Sequence, residues 1–61
     1  MNPTRSLVLE EIIRVAAACF GKVGYRATTL ETIAAKVGIS KVTLYRYVSS
    51  KEELLGLVPW I

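Results

Sequence analysis

The sequence predicts an all-α fold: a three-helix helix-turn-helix domain of the homeodomain-like type, followed by the start of a fourth helix. The central observation is a corner between two short helices. Ile33, Ala34 and Val37 recur at the spacing of one helix face, Gly38 follows them, and Ser40 comes two residues later. Glycine is the usual residue after a last helical turn, and serine is a common first cap of a new helix. The chain therefore ends one helix and begins another within about three residues.

Length and charge narrow the class of protein. Sixty-one residues allow one small domain of marginal stability. The net charge is +3, and Lys36, Lys41, Arg46 and Lys51 fall in a window without any acidic residue. A locally cationic segment of this kind attracts phosphate, although a solvated charged face is the simpler alternative. Neither a membrane-spanning run nor a signal peptide is evident, so we expect no membrane partner and a cytoplasmic location.

The first helix is predicted from about Arg5, after a flexible arm at residues 1–4. Gly24 is expected to end it, as a glycine cap. Its apolar residues share one stripe, which predicts a scaffold helix packed on the core. The members of that stripe are Leu9, Ile12, Ile13, Ala16, Cys19, Phe20 and Val23.

The second helix is predicted to start at Thr28, because Thr28 to Glu31 matches a capping box in which each side chain satisfies the other residue's amide. The free amides at such a helix start form a site for phosphate. Tyr25, Thr28 and Thr29 would add hydroxyl donors there. Structural capping alone explains the same residues equally well.

The third helix begins after Ser40 and has two distinct faces when drawn at 100 degrees per residue. Leu44 and Val48 point inward. The outward residues suit the major groove of DNA, because arginine matches guanine acceptors, hydroxyls bond to base edges, and an exposed valine can meet a thymine methyl. A solvated surface helix is the alternative. The outward residues are Lys41, Val42, Thr43, Tyr45 and Arg46.

The fourth helix is predicted from about Lys51, capped by Ser50. A cation at a helix start is unfavourable unless an anion lies in front of it, so Lys51 is predicted to hold a phosphate. Gly56 and Pro59 oppose a long helix. Residues 50–61 therefore form the start of a helix and an apolar tail, and residues 5–49 form the helix-turn-helix domain. The apolar tail also suits a protein-interaction module, which is the alternative function.

Enzyme chemistry lacks its usual residues in this chain. There is no histidine, and Cys19 is a lone cysteine on the apolar side of the first helix, where burial is its usual fate. Glu10 and Glu11, like Glu52 and Glu53, are neighbours that a helix splays apart. We expect no enzymatic activity, no cofactor and no metal site.

The sequence resembles the TetR-type transcriptional regulators over nearly its whole length. The resemblance implies a DNA-binding domain that binds a palindromic operator as a dimer. It also implies a separate C-terminal domain that dimerises and binds a small-molecule inducer, and we expect that domain to be absent from these 61 residues. The residues that carry the resemblance are Ile12, Ile13, Ala16, Ala17, Phe20, Gly24, Tyr25, Thr28, Thr29, Ile33, Ala34, Val37 to Ser40, Thr43 to Tyr45, Ser50 to Glu52, Leu54 and Leu55.

Position by position, the resemblance implies two groups of DNA contacts. Thr29, Tyr45 and Lys51 match positions that hold phosphates. Val42 and Val48 depart from the family pattern, because a small residue or proline and a phenylalanine are common at those places. The recognition helix is matched by Lys41, Val42, Thr43, Tyr45, Arg46 and Tyr47. Of these, the residues predicted to read bases are Lys41, Val42, Thr43, Arg46 and Tyr47.

Overall fold

The structure, a computed structural model, describes residues 3–58, with side chains from residue 7 onward. Its four helices in this range are α1 (Pro3–Val23), α2 (Leu30–Val37), α3 (Lys41–Tyr45) and α4 (Lys51–Leu57). Helix α1 packs against α2 and α4, and α2 packs against α3. None of these helices combines the length and the apolarity that a membrane span requires. The all-α prediction of three helices and a short fourth is confirmed.

The first helix starts earlier than its predicted beginning at Arg5. It includes Pro3 and Thr4, which we had assigned to a flexible arm. Proline is well tolerated in the first turn, where its missing N–H would have no partner within the helix. The rest of the predicted arm, residues 1 and 2, lies outside the described residues.

The core lies where α1, α2, α3 and α4 meet. The predicted inward positions Leu44 and Val48 are both buried, as is Cys19. Val23 is a correction: we placed it on the buried stripe of α1, but it is 57% exposed, because it is the last residue of the helix and lies at the edge of a groove beside α2. The buried cluster comprises Ile12, Ala16, Ala17, Phe20, Leu30, Ile33, Ala34, Leu44, Val48, Leu54 and Val58.

The corner between α2 and α3 has the predicted construction. Gly38 has a φ of 91°, in the left-handed region, and its amide donates to the carbonyl of Ala34 at 2.9 Å. Ser40 then caps α3, since its hydroxyl oxygen accepts the amide of Thr43 at 3.0 Å. The direction of α3 relative to α2 therefore depends on a backbone conformation that glycine adopts without strain.

Gly38→Val is expected to destabilise the domain by about 1 to 3 kcal/mol, because a β-branched residue is strained at a positive φ. No heavy atom lies within 4 Å of the position that a Cβ would occupy, so the cost comes from the backbone and not from a clash. Urea unfolding followed by circular dichroism measures the difference. The matched control is Gly21→Val at an exposed position in the last turn of α1, where stability should stay within about 0.5 kcal/mol. Equal stability of the Gly38 variant and wild type would contradict the prediction.

The capping box predicted at the start of α2 is wrong. The cap is Thr29, whose hydroxyl oxygen accepts the amide of Thr32 at 3.1 Å. Thr28 is buried, and its hydroxyl donates to the carbonyl of Gly24 at 2.8 Å. Either threonine could cap the helix by local sequence alone. Thr28 is buried because the loop that contains it packs against α1 and α4.

The third helix is shorter than its inward face suggested. After Tyr45 the amides of Arg46 and Tyr47 bond to carbonyls three residues earlier, at 3.1 and 2.9 Å. Such bonds tighten a last turn and end the helix. Val48 still reaches the core, because its amide bonds to the carbonyl of Leu44 at 3.1 Å.

The fourth helix begins at Lys51, as predicted, with the hydroxyl oxygen of Ser50 accepting the amide of Glu53 at 3.0 Å. It ends at Leu57, before the proline predicted to stop it, and Pro59 itself lies outside the described residues. Leu54 and Val58 from this segment are buried in the domain's own core. Two apolar side chains on which the alternative of an interaction module depended are therefore not available to a partner.

Candidate nucleic-acid interface

The surface of α3 presents the side chains that the sequence predicted to face outward. Val42 is 68% exposed and Tyr45 is 44% exposed, whereas Leu44 between them is fully buried. Lys41 and Arg46 are also exposed. A short helix held on the core by one face thus displays a valine, a tyrosine and two cations together.

Two further residues of the predicted base-reading set are only half-buried. Thr43 accepts a hydrogen bond from the hydroxyl of Ser40 at 2.9 Å, so its own hydroxyl hydrogen remains available for another acceptor. Tyr47 follows the end of α3 and packs partly against the core. Both side chains lie beside the exposed face of α3 and are only partly exposed to solvent.

Lys41 connects α3 to α2, an arrangement that the sequence did not predict. Its Nζ lies 3.3 Å from Oε1 of Glu31 and 5.8 Å from the ring centre of Tyr45. Exposed ion pairs of this kind contribute about 0 to 1 kcal/mol, so loss of the Lys41–Glu31 pair would cost little stability. Glu31 is the neighbour that sequence reasoning missed, because the residues are ten positions apart and no local pattern joins them.

Lys51, predicted to hold a phosphate, also bonds to the loop between α1 and α2. Its ammonium donates to the carbonyl of Tyr25 at 2.8 Å and to that of Thr28 at 3.0 Å. It also lies 4.3 Å from the ring centre of Tyr25, a cation–π distance. Because an ammonium has three hydrogens, one remains for an external anion. Lys51 therefore fastens the start of α4 to the loop that leads into α2.

Replacement of Lys51 by methionine is expected to reduce the free energy of unfolding by about 1 to 3 kcal/mol, because two carbonyls lose a charged donor. Methionine retains the stem of the side chain and removes only the ammonium. The measurement is thermal or urea unfolding of the isolated chain. Arg26→Met, an exposed cation in the same loop, serves as the control and should change stability by less than about 0.5 kcal/mol. Equal effects of the two substitutions would show that the carbonyl contacts do not stabilise the fold.

The hydroxyl of Tyr25, which the sequence predicts as a donor to phosphate, is buried in the structure. It is buried without a hydrogen-bond partner among the described residues, and its ring packs on Phe20 at a centroid distance of 5.3 Å. Burial, and to a lesser extent the charge of Glu52, raise the pKa of this hydroxyl above 10.0. The buried Tyr25 hydroxyl and the Thr28 hydroxyl, which donates to a backbone carbonyl, both belong to the packing of the loop.

Thr29 remains at the surface, at the exposed start of α2. Its hydroxyl caps the helix and donates to the hydroxyl of Thr32 at 2.9 Å. The first amides of a helix have no partner within the helix and carry partial positive charge, which favours an anion in front of them. The start of α2 and the exposed face of α3 therefore belong to two consecutive helices, which the Lys41–Glu31 ion pair joins.

Comparisons with known proteins agree with this arrangement. The family model for bacterial regulatory proteins of the tetR family matches residues 12–58. The chain is 46% identical over 46 residues to an uncharacterized HTH-type transcriptional regulator, YerO, of Bacillus subtilis, covering 75% of this chain and 16% of that protein. It is 39% identical over 56 residues to the HTH-type transcriptional repressor KstR2 of Mycobacterium tuberculosis, covering 84% of this chain and 28% of that protein. The chain thus spans less than a third of these relatives' lengths. No solved structure matches it.

Proposed function

The chain belongs to the tetR family of bacterial regulatory proteins, and we propose that it is the DNA-binding part of a transcriptional regulator that reads a DNA duplex through α3. One observation carries the proposal most strongly. Val42 and Tyr45 are exposed on the same short helix that places Leu44 in the core, so an apolar side chain and a phenol stand in solvent beside Lys41 and Arg46. Such a mixture matches the methyl groups and acceptors of the major groove.

The proposed DNA contacts fall into two groups. Base edges are contacted from α3 and the turn that follows it, with Arg46 matching guanine and Val42 matching a thymine methyl. Phosphates are contacted by Thr29 with the α2 amides, by Tyr45, and by the remaining hydrogen of Lys51. Burial of the Tyr25 and Thr28 hydroxyls argues for leaving both out of this set. The base-facing set is Lys41, Val42, Thr43, Arg46 and Tyr47.

The proposal extends to the assembly and the mode of regulation. We infer that the regulator is a repressor that acts in the cytoplasm as a homodimer on a palindromic operator, and that it releases DNA when a small-molecule inducer binds. Dimerisation and inducer binding would belong to a further domain of the kind that the relatives' greater length accommodates. The name of the mycobacterial relative supports the choice of repressor over activator.

The experiment is selection of bound sequences from random DNA duplexes, followed by binding titrations at two salt concentrations. The 61-residue chain should prefer an enriched duplex over a shuffled one of the same composition, and the preference should persist when salt is raised. Binding that follows only net charge would be lost equally for both duplexes. Equal affinity for enriched and shuffled DNA would contradict the proposed function.

The isolated chain is expected to bind weakly, because one half-site contact without a partner subunit forms few phosphate and base contacts. A dissociation constant in the micromolar range or weaker is expected at physiological salt. Sedimentation should show a monomer or weak self-association, since so small a core leaves little stability for an interface. A tight dimer of these 61 residues would contradict the assignment of dimerisation to a further domain.

A further inference from the structure

A groove separates α1 from α2 on a part of the domain that the proposed DNA contacts do not use. Its volume is about 490 Å³, within the range of small-molecule sites in proteins. The apolar part of its lining consists of Val15, Ala18, Cys19, Val23 and Ala27. A surface of this shape gains free energy by excluding water from an apolar ligand.

The charged residues of the groove are both cations. Lys22 and Lys36 line it, and none of its lining residues is acidic. Three other cations of the described chain have partners: Arg14 pairs with Glu11, Lys41 with Glu31, and Lys51 with two backbone carbonyls. Within residues 7–58, Lys22 and Lys36 form neither an ion pair nor a hydrogen bond through their ammonium groups. The groove therefore combines an apolar lining with two lysine ammonium groups that have no acidic partner.

Two polar side chains line the groove with Lys36: Thr32, one helical turn earlier on α2, and Thr28, in the loop before that helix. The Thr28 hydroxyl already donates its hydrogen to the carbonyl of Gly24. Thr32 accepts a hydrogen bond from Thr29, so its own hydroxyl hydrogen stays available, one helical turn before Lys36 in the lining of the groove.

We propose that this groove binds a soluble small molecule with an apolar body and one carboxylate, such as a medium-chain fatty acid. The apolar body lies along Val15, Ala18 and Cys19. The carboxylate bonds to the Lys36 ammonium and the Thr32 hydroxyl. A cationic amphiphile is repelled by the two lysines, and a compact hydrated anion such as inorganic phosphate gains nothing from the apolar floor.

The test is a titration of the 61-residue chain, without DNA, with decanoate, decanol and decyltrimethylammonium, followed by amide chemical shifts. Decanoate should give saturable shifts centred on Ala18, Cys19, Thr32 and Lys36. Decanol should shift the same residues at higher concentration, and decyltrimethylammonium should not compete. Absence of decanoate binding would overturn the proposed site. Because no DNA is present, that result would be distinct from a failure of the proposed DNA-binding function.

Variants separate the two parts of the site. Lys36→Glu should weaken decanoate about tenfold and leave decanol unchanged, whereas Ala18→Trp should abolish binding of both by filling the groove. Arg26→Glu makes the same charge change outside the groove and should leave both affinities unchanged, with dispersed amide spectra showing that each variant is folded. Decanoate binding that survives Lys36→Glu and Ala18→Trp would overturn the proposal. Decanoate-induced shifts spread over the whole surface of the domain would overturn it as well.

Discussion

Leu44→Ala is expected to leave the chain largely unfolded at 25 °C. The Leu44 side chain is fully buried in the cluster shared by α1, α2, α3 and α4. Truncation of a buried leucine costs about 2 to 5 kcal/mol, because apolar contact is lost and a cavity remains. Domains below about 70 residues rarely hold more than 3 to 5 kcal/mol of stability. Circular dichroism should therefore show little helix in the variant and a broad or absent thermal transition.

Val42→Ala is the matched control for this prediction. It removes an aliphatic side chain from the same helix, two residues away, but from a position that is 68% exposed. Its effect on stability should stay within about 0.5 kcal/mol. A Leu44 variant that unfolds with the same midpoint as the Val42 variant would show that α3 is not held on the core by Leu44.

The features that local chemistry determines could be predicted from the sequence. Gly38 follows a helical apolar pattern, and the hydroxyls of Ser40 and Ser50 each reach an amide three residues ahead. These signals involve neighbouring residues only, so the pattern and the structure coincide. The burial of Leu44 and Val48 follows equally from their four-residue spacing, because the Val48 amide bonds to the Leu44 carbonyl even though α3 ends at Tyr45.

The start of α2 shows where local chemistry is insufficient. Thr28 and Thr29 are the same residue type at consecutive positions, and each has the spacing to cap a helix. Their roles differ because the loop folds back on α1 and buries Thr28 beside Gly24. The four residues from Thr28 to Glu31 carry no information about that packing, so their sequence cannot show which threonine caps the helix.

The contacts of Lys51 could not be predicted for a related reason. Its carbonyl partners, Tyr25 and Thr28, lie 26 and 23 residues earlier in the chain. A cation at a helix start needs compensating negative charge, and the sequence predicts a phosphate for that role. In the structure two backbone carbonyls and the ring of Tyr25 contact the ammonium as well, and local sequence gives no sign of them.

Arg46→Ala is expected to weaken binding to the preferred duplex by about 1 to 3 kcal/mol and to relax the preference at one base pair. Arg46 is exposed at the end of α3, from where its guanidinium is proposed to bond to the two acceptors of a guanine. The measurement is a set of titrations against the enriched duplex and its single-base variants. Arg14→Ala removes the same charge from the exposed side of α1, where Arg14 pairs with Glu11, and should leave the base preference unchanged.

Comparison with Lys51 distinguishes a base contact from a phosphate contact. Lys51→Ala should weaken enriched and shuffled DNA alike and lower the slope of log affinity against log salt by about one, because it removes a cation near the backbone. Titrations must be run where unfolding measurements show the variant to be folded, since Lys51 also fastens the loop at Tyr25. If Arg46→Ala instead weakened both duplexes equally and lowered the slope by about one, Arg46 would be a phosphate contact. Base preference would then depend on Lys41, Val42, Thr43 and Tyr47.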